Sequence, residues 1–493
     1  MNRQSIPLIL PLAILLLVLQ VLPLTADSLP NILVIVSEDN GQELGCYGDP
    51  YVKTPVLDQL ATEGVRFHNA YVPQAGCSQS RAAYLTGLYP HQNGQIGLAT
   101  WKFSLYSNET PNLIRSLKAA GYRTGILGKL HVNPESAFPF DMKEKSGANF
   151  GRKKQGEYAT LAEAFMAKED TPFFLSVNYP DAHRPFIRTA NNLPRKPLTG
   201  EDVKPLPYFG IDTPELREET ADYYNCMSRL DTLIGDLLQA LDRCGKADNT
   251  LIVYFGDHGA DLLRGKRTSY EGGTRVPLII KWPGHQKPGQ VRYELVSTLD
   301  LMPTLLEVSK ASPVNNLPGH SLRPLIEGLK PEWRTHLFTE FHLHSAHNFF
   351  PQRTVRGPRF KLIQNLMPNQ TNPGHHFTLN RFFPSLPDKI ASSPEPVRSA
   401  YVLMAKPPEF ELYDLQEDPH EFINLAGSKE HQSIFNDLKQ RLSTWRKKTK
   451  DPFLNPRNLE MLKAEVDACR KDGSYEKKLL HLNYTQYFFE TAH

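Results

Sequence analysis

The sequence predicts an α/β fold, in which helices sandwich a large, mostly parallel sheet and a smaller C-terminal α+β subdomain follows. Its 493 residues, 40% hydrophobic and 22% charged, are enough for a large core. From Asn31 onward, short β-rich runs alternate with helical patterns, which is typical of a parallel sheet covered by helices. The run at 32–36 is wholly apolar, which indicates a strand buried on both faces.

The individual elements follow in chain order. Strands are predicted at 32–37, 123–127, 173–178, 251–255 and 277–281. Helices are predicted at 56–63, 80–87, 112–120, 158–167, 216–241 and 300–309. Beyond 332 the chain becomes rich in scattered Pro, Asn and His, with strands at 359–364 and 411–414 and a helix at 433–447. We therefore expect a leader at 1–26, a main domain that carries the chemistry at 27–332, and a C-terminal subdomain with a small sheet and a terminal helix at 333–493.

The N-terminal segment predicts export. Arg3 precedes an apolar stretch at 6–24 that ends in Leu24-Thr25-Ala26, as in a cleaved secretory signal peptide. The stretch is also about as long as a short membrane-spanning helix, which leaves an uncleaved anchor as the alternative. Its three prolines and the strand directly after it favour cleavage. We therefore expect no stable membrane insertion and a secreted, periplasmic or lysosome-like location.

The composition excludes two classes of protein. Lys and Arg number 56 and Asp and Glu number 53, a net charge of +3, so a dedicated nucleic-acid binder is a poor interpretation. Five scattered cysteines without a C-x-x-C pair exclude a disulfide scaffold. Because five is an odd number, at least one thiol is left for another chemical role.

Polar side chains follow four of the predicted strands. Since the carboxyl ends of parallel strands meet at one edge of a sheet, we expect these side chains to lie together. The acidic and imidazole groups predict a metal site, with calcium or, less favoured, magnesium preferred over zinc because oxygen ligands outnumber the single imidazole. The alternative is that each acidic pair only caps the following helix or loop. The predicted metal ligands are Glu38, Asp39, Asp257 and His258.

Cationic side chains accompany the acidic ones. A substrate with sulfate or phosphate oxygens needs several such donors around its oxyanion, although each alone is more often a solvated loop residue. Arg264 and Arg267 are close enough to exchange roles with Lys266. The predicted oxyanion-binding residues are Lys129, His131, His183, Arg184 and Lys266.

Cys77 is the candidate for a reactive thiol. It lies just ahead of a predicted helix and Arg81 follows one turn later. A helix N-terminus and a nearby guanidinium both lower a thiol pKa and attract anions. The alternative is an inert cysteine buried at a helix start.

The segment around Cys77 resembles the signature of the type I sulfatases of the alkaline-phosphatase-like superfamily. That signature is Cys-x-Pro-Ser-Arg followed by a short stretch ending in Thr-Gly, and the sequence has Cys77-Ser78-Gln79-Ser80-Arg81 and then Leu85-Thr86-Gly87. Further segments resemble the family in the same order along most of the chain, among them Asp257-His258-Gly259 and the stretch from Tyr270 to Pro277. The resemblance implies an alkaline-phosphatase-like fold and a sulfatase activity.

The resemblance also implies roles for individual residues. Cys77 would be oxidised by a formylglycine-generating enzyme, and the hydrated aldehyde would attack sulfur and later expel sulfate. Calcium would be bound by the four ligands predicted above. Arg81 and Lys129 would stabilise the formylglycine, and His131 would orient its second hydroxyl. Lys266 and His183 would bind the sulfate, and His183 would also protonate the leaving group.

The sequence departs from the family pattern at three positions. Gln79 stands where the signature has proline, the residue that maturation enzymes usually recognise. Glu38 stands where aspartate is usual, which lengthens one metal ligand by a methylene group. His258 replaces an asparagine found in many members.

Within the family the chain looks most like the heparan N-sulfatase (sulfamidase) branch. Similar segments lie at 86–94, 128–132, 138–141 and 359–366. This implies removal of N-sulfate from glucosamine in a heparan-type glycan, with Arg353 and the histidines between 342 and 347, His342 among them, beside the sugar. The alternatives are an O-sulfatase on another sulfated polysaccharide, a non-catalytic glycan-binding relative, and a phosphodiesterase or phosphonate hydrolase. A homodimer is left open.

Overall fold

The structure, a computed structural model, describes residues 29–168 and 170–492. The signal peptide predicted at 1–26 therefore lies outside the described residues. Within the described part of the chain, no helix has the length and apolar character needed to cross a membrane.

A nine-stranded sheet forms the centre of the molecule. Its order is β4-β3-β5-β1-β6-β8-β2-β7, and β9 also pairs with β2. Five of its strand pairs are parallel, and those of β2 with β7 and β8 and of β6 with β8 are antiparallel. The predicted large and mostly parallel sheet is thus confirmed. The strands are β1 Asn31–Ser37, β2 Val65–Tyr71, β3 Arg123–Gly128, β4 Met142–Glu144, β5 Phe173–Tyr179, β6 Thr250–Gly256, β7 Arg275–Val276, β8 Leu278–Lys281 and β9 Gln290–Ser297.

Helices cover both faces of this sheet, as the apolar strands predict. Leu33 and Ile35 of β1 belong to one buried apolar cluster, which they share with Leu230 of α6. Their neighbour Val34 belongs to a second cluster on the opposite face, together with Leu305 of α8. Alternate residues of one strand therefore enter two different cores. The helices are α1 Pro55–Glu63, α2 Cys77–Thr86, α3 Pro90–Asn93, α4 Leu113–Ala119, α5 Glu157–Met166, α6 Pro214–Arg243, α7 Glu271–Thr274, α8 Leu301–Val308, α9 Arg323–Ile326, α10 Pro373–Phe382, α11 Pro387–Ala391, α12 Val397–Ala405, α13 Gln432–Lys448, α14 Pro456–Asp467 and α15 Tyr484–Ala492.

A second, antiparallel sheet lies in the C-terminal part. Its order is β10-β11-β12-β13, and Leu438 and Leu442 of α13 pack on it beside Val355 and Leu362. A short hairpin, β14 with β15, follows near the C-terminus. The strands are β10 Leu337–Phe341, β11 Gln352–Arg356, β12 Phe360–Asn365, β13 Phe410–Asp414, β14 Arg470–Lys471 and β15 Ser474–Tyr475.

Four strands of the large sheet, β2, β4, β7 and β9, were not predicted from the sequence, and the two longest of them, β2 and β9, show why. β2 and β9 pair in parallel at one side of the sheet and are only partly buried. Because such strands need an apolar residue only at alternate positions, Arg66 and His68 are tolerated in β2. Asn69 follows at a register shift in the pairing with β9, and the short apolar pattern is lost.

Candidate active site at the strand ends

The four strands whose ends carry polar residues lie next to one another. β3, β5, β1 and β6 are consecutive in the sheet and mutually parallel, so their carboxyl ends meet at one edge. Gly128, at the end of β3, has φ +81°, and a Cβ there would lie 2.1 Å from the carbonyl oxygen of Asn178 in β5. Only glycine fits this close approach, so Gly128 fixes the path of the backbone from the end of β3 into Lys129.

Cys77 begins α2 and lies at the centre of the site. Its side chain is 1% exposed, and its Sγ lies 3.3 Å from Nε2 of His258 and 3.9 Å from Nε2 of His344. All five cysteines, which lie within the described residues, are free thiols. The thiol therefore sits at a helix N-terminus, in the position predicted from the sequence.

The four predicted metal ligands are fully buried and close together. His258 Nε2 lies 3.3 Å from Asp39 Oδ1 and 3.7 Å from Asp257 Oδ1. The backbone N–H of Asp39 donates to Asp257 Oδ1 at 2.9 Å. Single ligand atoms of Glu38, Asp39, Cys77 and His183 all lie within 4.8 Å of one another. Asp39 itself has φ +53°, an uncommon conformation outside glycine that the surrounding contacts must hold.

The predicted cations neutralise these carboxylates. Lys129 forms an ion pair with Glu38, and Lys266 lies 2.9 and 3.0 Å from the two carboxylate oxygens of Asp39. Arg81 forms an ion pair with Asp257 at 3.0 Å. The site is therefore an alternation of buried positive and negative groups, each held by a partner of opposite sign.

This alternation fixes the charge states. Burial alone would raise the pKa of Glu38, but the positive charges of Lys129 and Arg81 outweigh it and hold that pKa well below its usual range. Burial acts to lower the pKa of His258, yet Asp257 and Asp39 raise it to about 9. Glu38 is therefore ionised at neutral pH, and the carboxylates of Asp39 and Asp257 favour positive charge at His258.

The donor set fits a hard divalent cation. Oε2 of Glu38 is buried and, among the described residues, accepts no hydrogen bond. Nδ1 of His258 lies 2.9 Å from the carbonyl oxygen of Gly259, which can only accept, so Nδ1 carries a proton and Nε2 faces the carboxylates. Three carboxylates and one imidazole form a mostly oxygen donor set, which suits calcium or magnesium.

His131 and His183 point neutral imidazoles at the site. Burial, the leading effect, lowers the pKa of both rings. His131 is half-buried, and neither of its buried ring nitrogens has a hydrogen-bond partner in the described part of the chain. Nδ1 of His183 lies 2.5 Å from the carbonyl oxygen of Arg184, so Nδ1 donates and Nε2 keeps its lone pair.

Arg184, one of the predicted oxyanion-binding residues, contacts two aromatic rings and an acidic partner. The guanidinium of Arg184 lies over the rings of Phe186 and Phe382, at 4.4 and 4.5 Å, and pairs with Glu219 at 2.8 Å. Its Nε donates to the carbonyl oxygen of Asp261, in the loop that also carries Lys266. Arg184 thus lies beside the site, while much of its donor capacity is used within the protein.

Arg353 and His342 do not line the site, contrary to the sequence analysis. Arg353 is fully buried, and its Nε and Nη2 donate to the two oxygens of Asp451 at 2.9 and 2.7 Å. His342 lies 3.1 Å from Nη2 of Arg353 and 3.0 Å from Oε1 of Gln74. Both side chains therefore belong to a buried ion cluster in which no donor is left for a sugar.

Three residues of the site were missed as individuals. Asn178 accepts from Nη1 of Arg81 at 2.6 Å, and Asp261 lies 3.8 Å from Nζ of Lys266. His344, which faces Cys77, was included only within the histidine-rich segment. Asn178 ends a predicted strand, so the rule that located the other residues could have found it.

Comparison with known proteins identifies the family. The sulfatase family model matches residues 30–311, and a model described as the C-terminal part of N-sulphoglucosamine sulphohydrolase matches 256–372. The chain is 32% identical to human N-sulphoglucosamine sulphohydrolase, over 91% of this chain and 93% of the relative. It is 28% identical to a Formosa agariphila ulvan-active sulfatase, over 90% and 86%. A 2-O GAG sulfatase structure, 22% identical, superposes with a TM-score of 0.67 over 86% of this chain and 93% of that one. The chain belongs to the sulfatase family and is a hydrolase of sulfate esters or sulfamates.

Proposed function

We propose that this protein is an exported, calcium-dependent N-sulfoglucosamine sulfohydrolase whose nucleophile is formylglycine, made from Cys77 by a formylglycine-generating enzyme. One observation carries the proposal: the Cys77 thiol is buried at the N-terminus of α2, between a carboxylate cluster and several cations. Support for the substrate comes from the relative that is 32% identical over nearly the whole chain.

Each group would have a distinct task. Glu38, Asp39, Asp257 and His258 would hold the calcium ion, which supplies Lewis-acid stabilisation of negative charge on oxygen. Residue 77, once converted, supplies the nucleophilic hydroxyl.

The remaining side chains would bind sulfate and move protons. Lys129, paired with Glu38, and Lys266, paired with Asp39, would provide buried positive charge for the sulfuryl oxygens. Nε2 of His183 keeps a lone pair, so it can take up a proton and deliver it to a leaving amine. Both ring nitrogens of His131, which have no hydrogen-bond partner among residues 29–168 and 170–492, would be available to orient the attacking group.

An O-sulfatase acting on another sulfated polysaccharide is the second candidate. It is favoured by the ulvan-active relative, 28% identical over 90% of the chain. The cradle for the sulfuryl group serves both reactions, because sulfamates and sulfate esters present the same three oxygens. The two reactions differ in the sugar that the pocket must bind, and Arg353, buried and paired with Asp451, supplies no contact that would distinguish the sugars.

The test has two stages. The protein is produced with a formylglycine-generating enzyme, and the tryptic peptide that contains residue 77 is analysed by mass spectrometry. Sulfate release is then measured from N-sulfoglucosamine and from glucosamine 6-O-sulfate. Aldehyde at position 77 with release from the first sugar only supports the proposal, and release from the second only favours the O-sulfatase. A protein that keeps the thiol in its native host would be a binding protein instead.

A further inference from the structure

Gln79 occupies the signature position where the family has proline, and its side chain is fully buried. It lies in the first turn of α2, two residues after Cys77. Nε2 of Gln79 donates to the carbonyl oxygens of Leu343 at 2.7 Å and Ile96 at 3.2 Å. A proline side chain has no donor and could make neither bond.

The same two carbonyl oxygens accept from a second glutamine. Nε2 of Gln74 donates to Leu343 at 3.0 Å and to Ile96 at 3.2 Å. Gln74 and Gln79, which flank Cys77 in the sequence, thus form a clamp on the backbone of Leu343. Both lone pairs of that carbonyl oxygen are used by buried donors.

Leu343 directly precedes His344, which enters the site from the loop after β10 of the second sheet. The N–H of His344 donates to Oδ1 of Asn348 at 2.8 Å, and its carbonyl oxygen accepts from the N–H of Leu98 at 2.9 Å. Its ring Nε2 then lies 3.9 Å from Sγ of Cys77, which His258 Nε2 approaches to 3.3 Å. The backbone around His344 is therefore held on both sides while its imidazole faces the nucleophile.

We propose that Gln79 is a positioning residue that fixes Leu343 and thereby holds His344, a further catalytic residue, against position 77. The inference deepens the proposed function, since it assumes that residue 77 is the nucleophile. It also gives a reason for glutamine in place of the signature proline, because the glutamine supplies a bond that joins α2 to the loop after β10.

Turnover provides the first test, with the matured enzyme and with rates expressed per formylglycine-containing molecule. In Q79M the volume is kept and the donors are removed, and we expect kcat on N-sulfoglucosamine to fall about tenfold with KM changed less than about twofold. In H344A the fall is at least as large, and Q79M adds less than about twofold in that background because both act through one imidazole. The control Q432M, on the exposed face of α13, retains wild-type rates.

The second test does not depend on activity. In protein with 15N-labelled histidine, the His344 resonance, assigned by its absence from H344A, is expected to shift or broaden in Q79M and to stay unchanged in Q432M. A shifted resonance together with an inactive wild type would leave the clamp standing and overturn the proposed function. An unchanged resonance, unchanged kcat in Q79M, or independent effects of Q79M and H344A would overturn the clamp.

Discussion

Sγ of Cys77 lies 3.3 Å from Nε2 of His258, so the thiol in α2 touches an imidazole at the end of β6. These residues are 181 positions apart in the chain. Their contact joins the reactive group to the carboxylate cluster, and it makes the identity of residue 77 decisive for the chemistry.

Replacing Cys77 by alanine is expected to abolish sulfate release. Alanine cannot be converted to an aldehyde and offers no nucleophile, and loss of a covalent nucleophile typically costs several orders of magnitude in kcat, about 10⁶ in one well-studied hydrolase. The measurement is sulfate release by C77A compared with C244S, which alters a half-buried cysteine at the end of α6. Equal activity of C77A and wild type would contradict the assignment.

Chelation is expected to lower both stability and activity. Without a cation the folded protein loses the binding free energy of the ion, and Oε2 of Glu38, which is buried and accepts no hydrogen bond from the described residues, is left without a partner. Calcium at about 100 times its Kd should restore about 2.7 kcal/mol, seen as a rise in Tm.

The matched variants for this experiment are D257N and D437N. D257N removes a buried ligand and should lose the calcium response. D437N alters an exposed residue of α13 and should keep it. If the Tm of the wild-type protein responds to neither chelator nor calcium, and activity is full in the presence of either, then no metal is needed.

The arrangement of the strand ends could be predicted from the sequence, whereas contacts made by the second sheet could not. β1, β3, β5 and β6 are short apolar strands, and parallel pairing brings any polar residues after them together. His344 follows β10 of the second sheet and lies 267 positions from Cys77 in the chain, so no short-range pattern in the sequence predicts that the two side chains meet.

Arg353 shows why charged residues are hard to assign from sequence. A lone arginine beside a histidine-rich segment has the composition of a sugar-binding loop. Its partner Asp451 lies 98 residues further along the chain, and only the fold reveals that the two are paired and buried. The same uncertainty did not affect Lys129, because its position after a predicted strand located it.

Replacing Asp451 by asparagine is expected to destabilise the protein without impairing the chemistry. The carboxylate accepts from Arg353 and from Arg446, so its loss leaves two buried guanidinium groups underbonded. Removing one partner of a buried ion pair costs about 3–5 kcal/mol. Urea unfolding of D451N should show this loss, while kcat and KM of the folded fraction remain at wild-type values.

The control for this prediction is D467N, which removes an exposed pair with Lys463 on α14 and should change stability little. An increased KM for the sugar in D451N, at unchanged stability, would show instead that Arg353 contributes to substrate binding.

Glu340 is expected to make the protein lose stability in acid. Burial favours its neutral form, but the imidazole of His91, 2.5 Å away, and the guanidinium of Arg353 outweigh burial and lower the pKa of Glu340 from 4.5 to about 2. A carboxyl whose pKa is lower in the folded state stabilises the fold fully above about pH 4.5, and this contribution is lost as the pH falls towards 2. About 2 kcal/mol of this stabilisation should be lost by about pH 3.

The variant E340Q lacks the carboxyl, so this part of the acid-induced loss of stability should vanish. The urea unfolding curves of E340Q and the wild type should therefore converge in acid. The control E395Q, altered at an exposed carboxyl, should follow the wild type. Parallel pH dependence of wild type and E340Q would show that other carboxyls dominate acid unfolding.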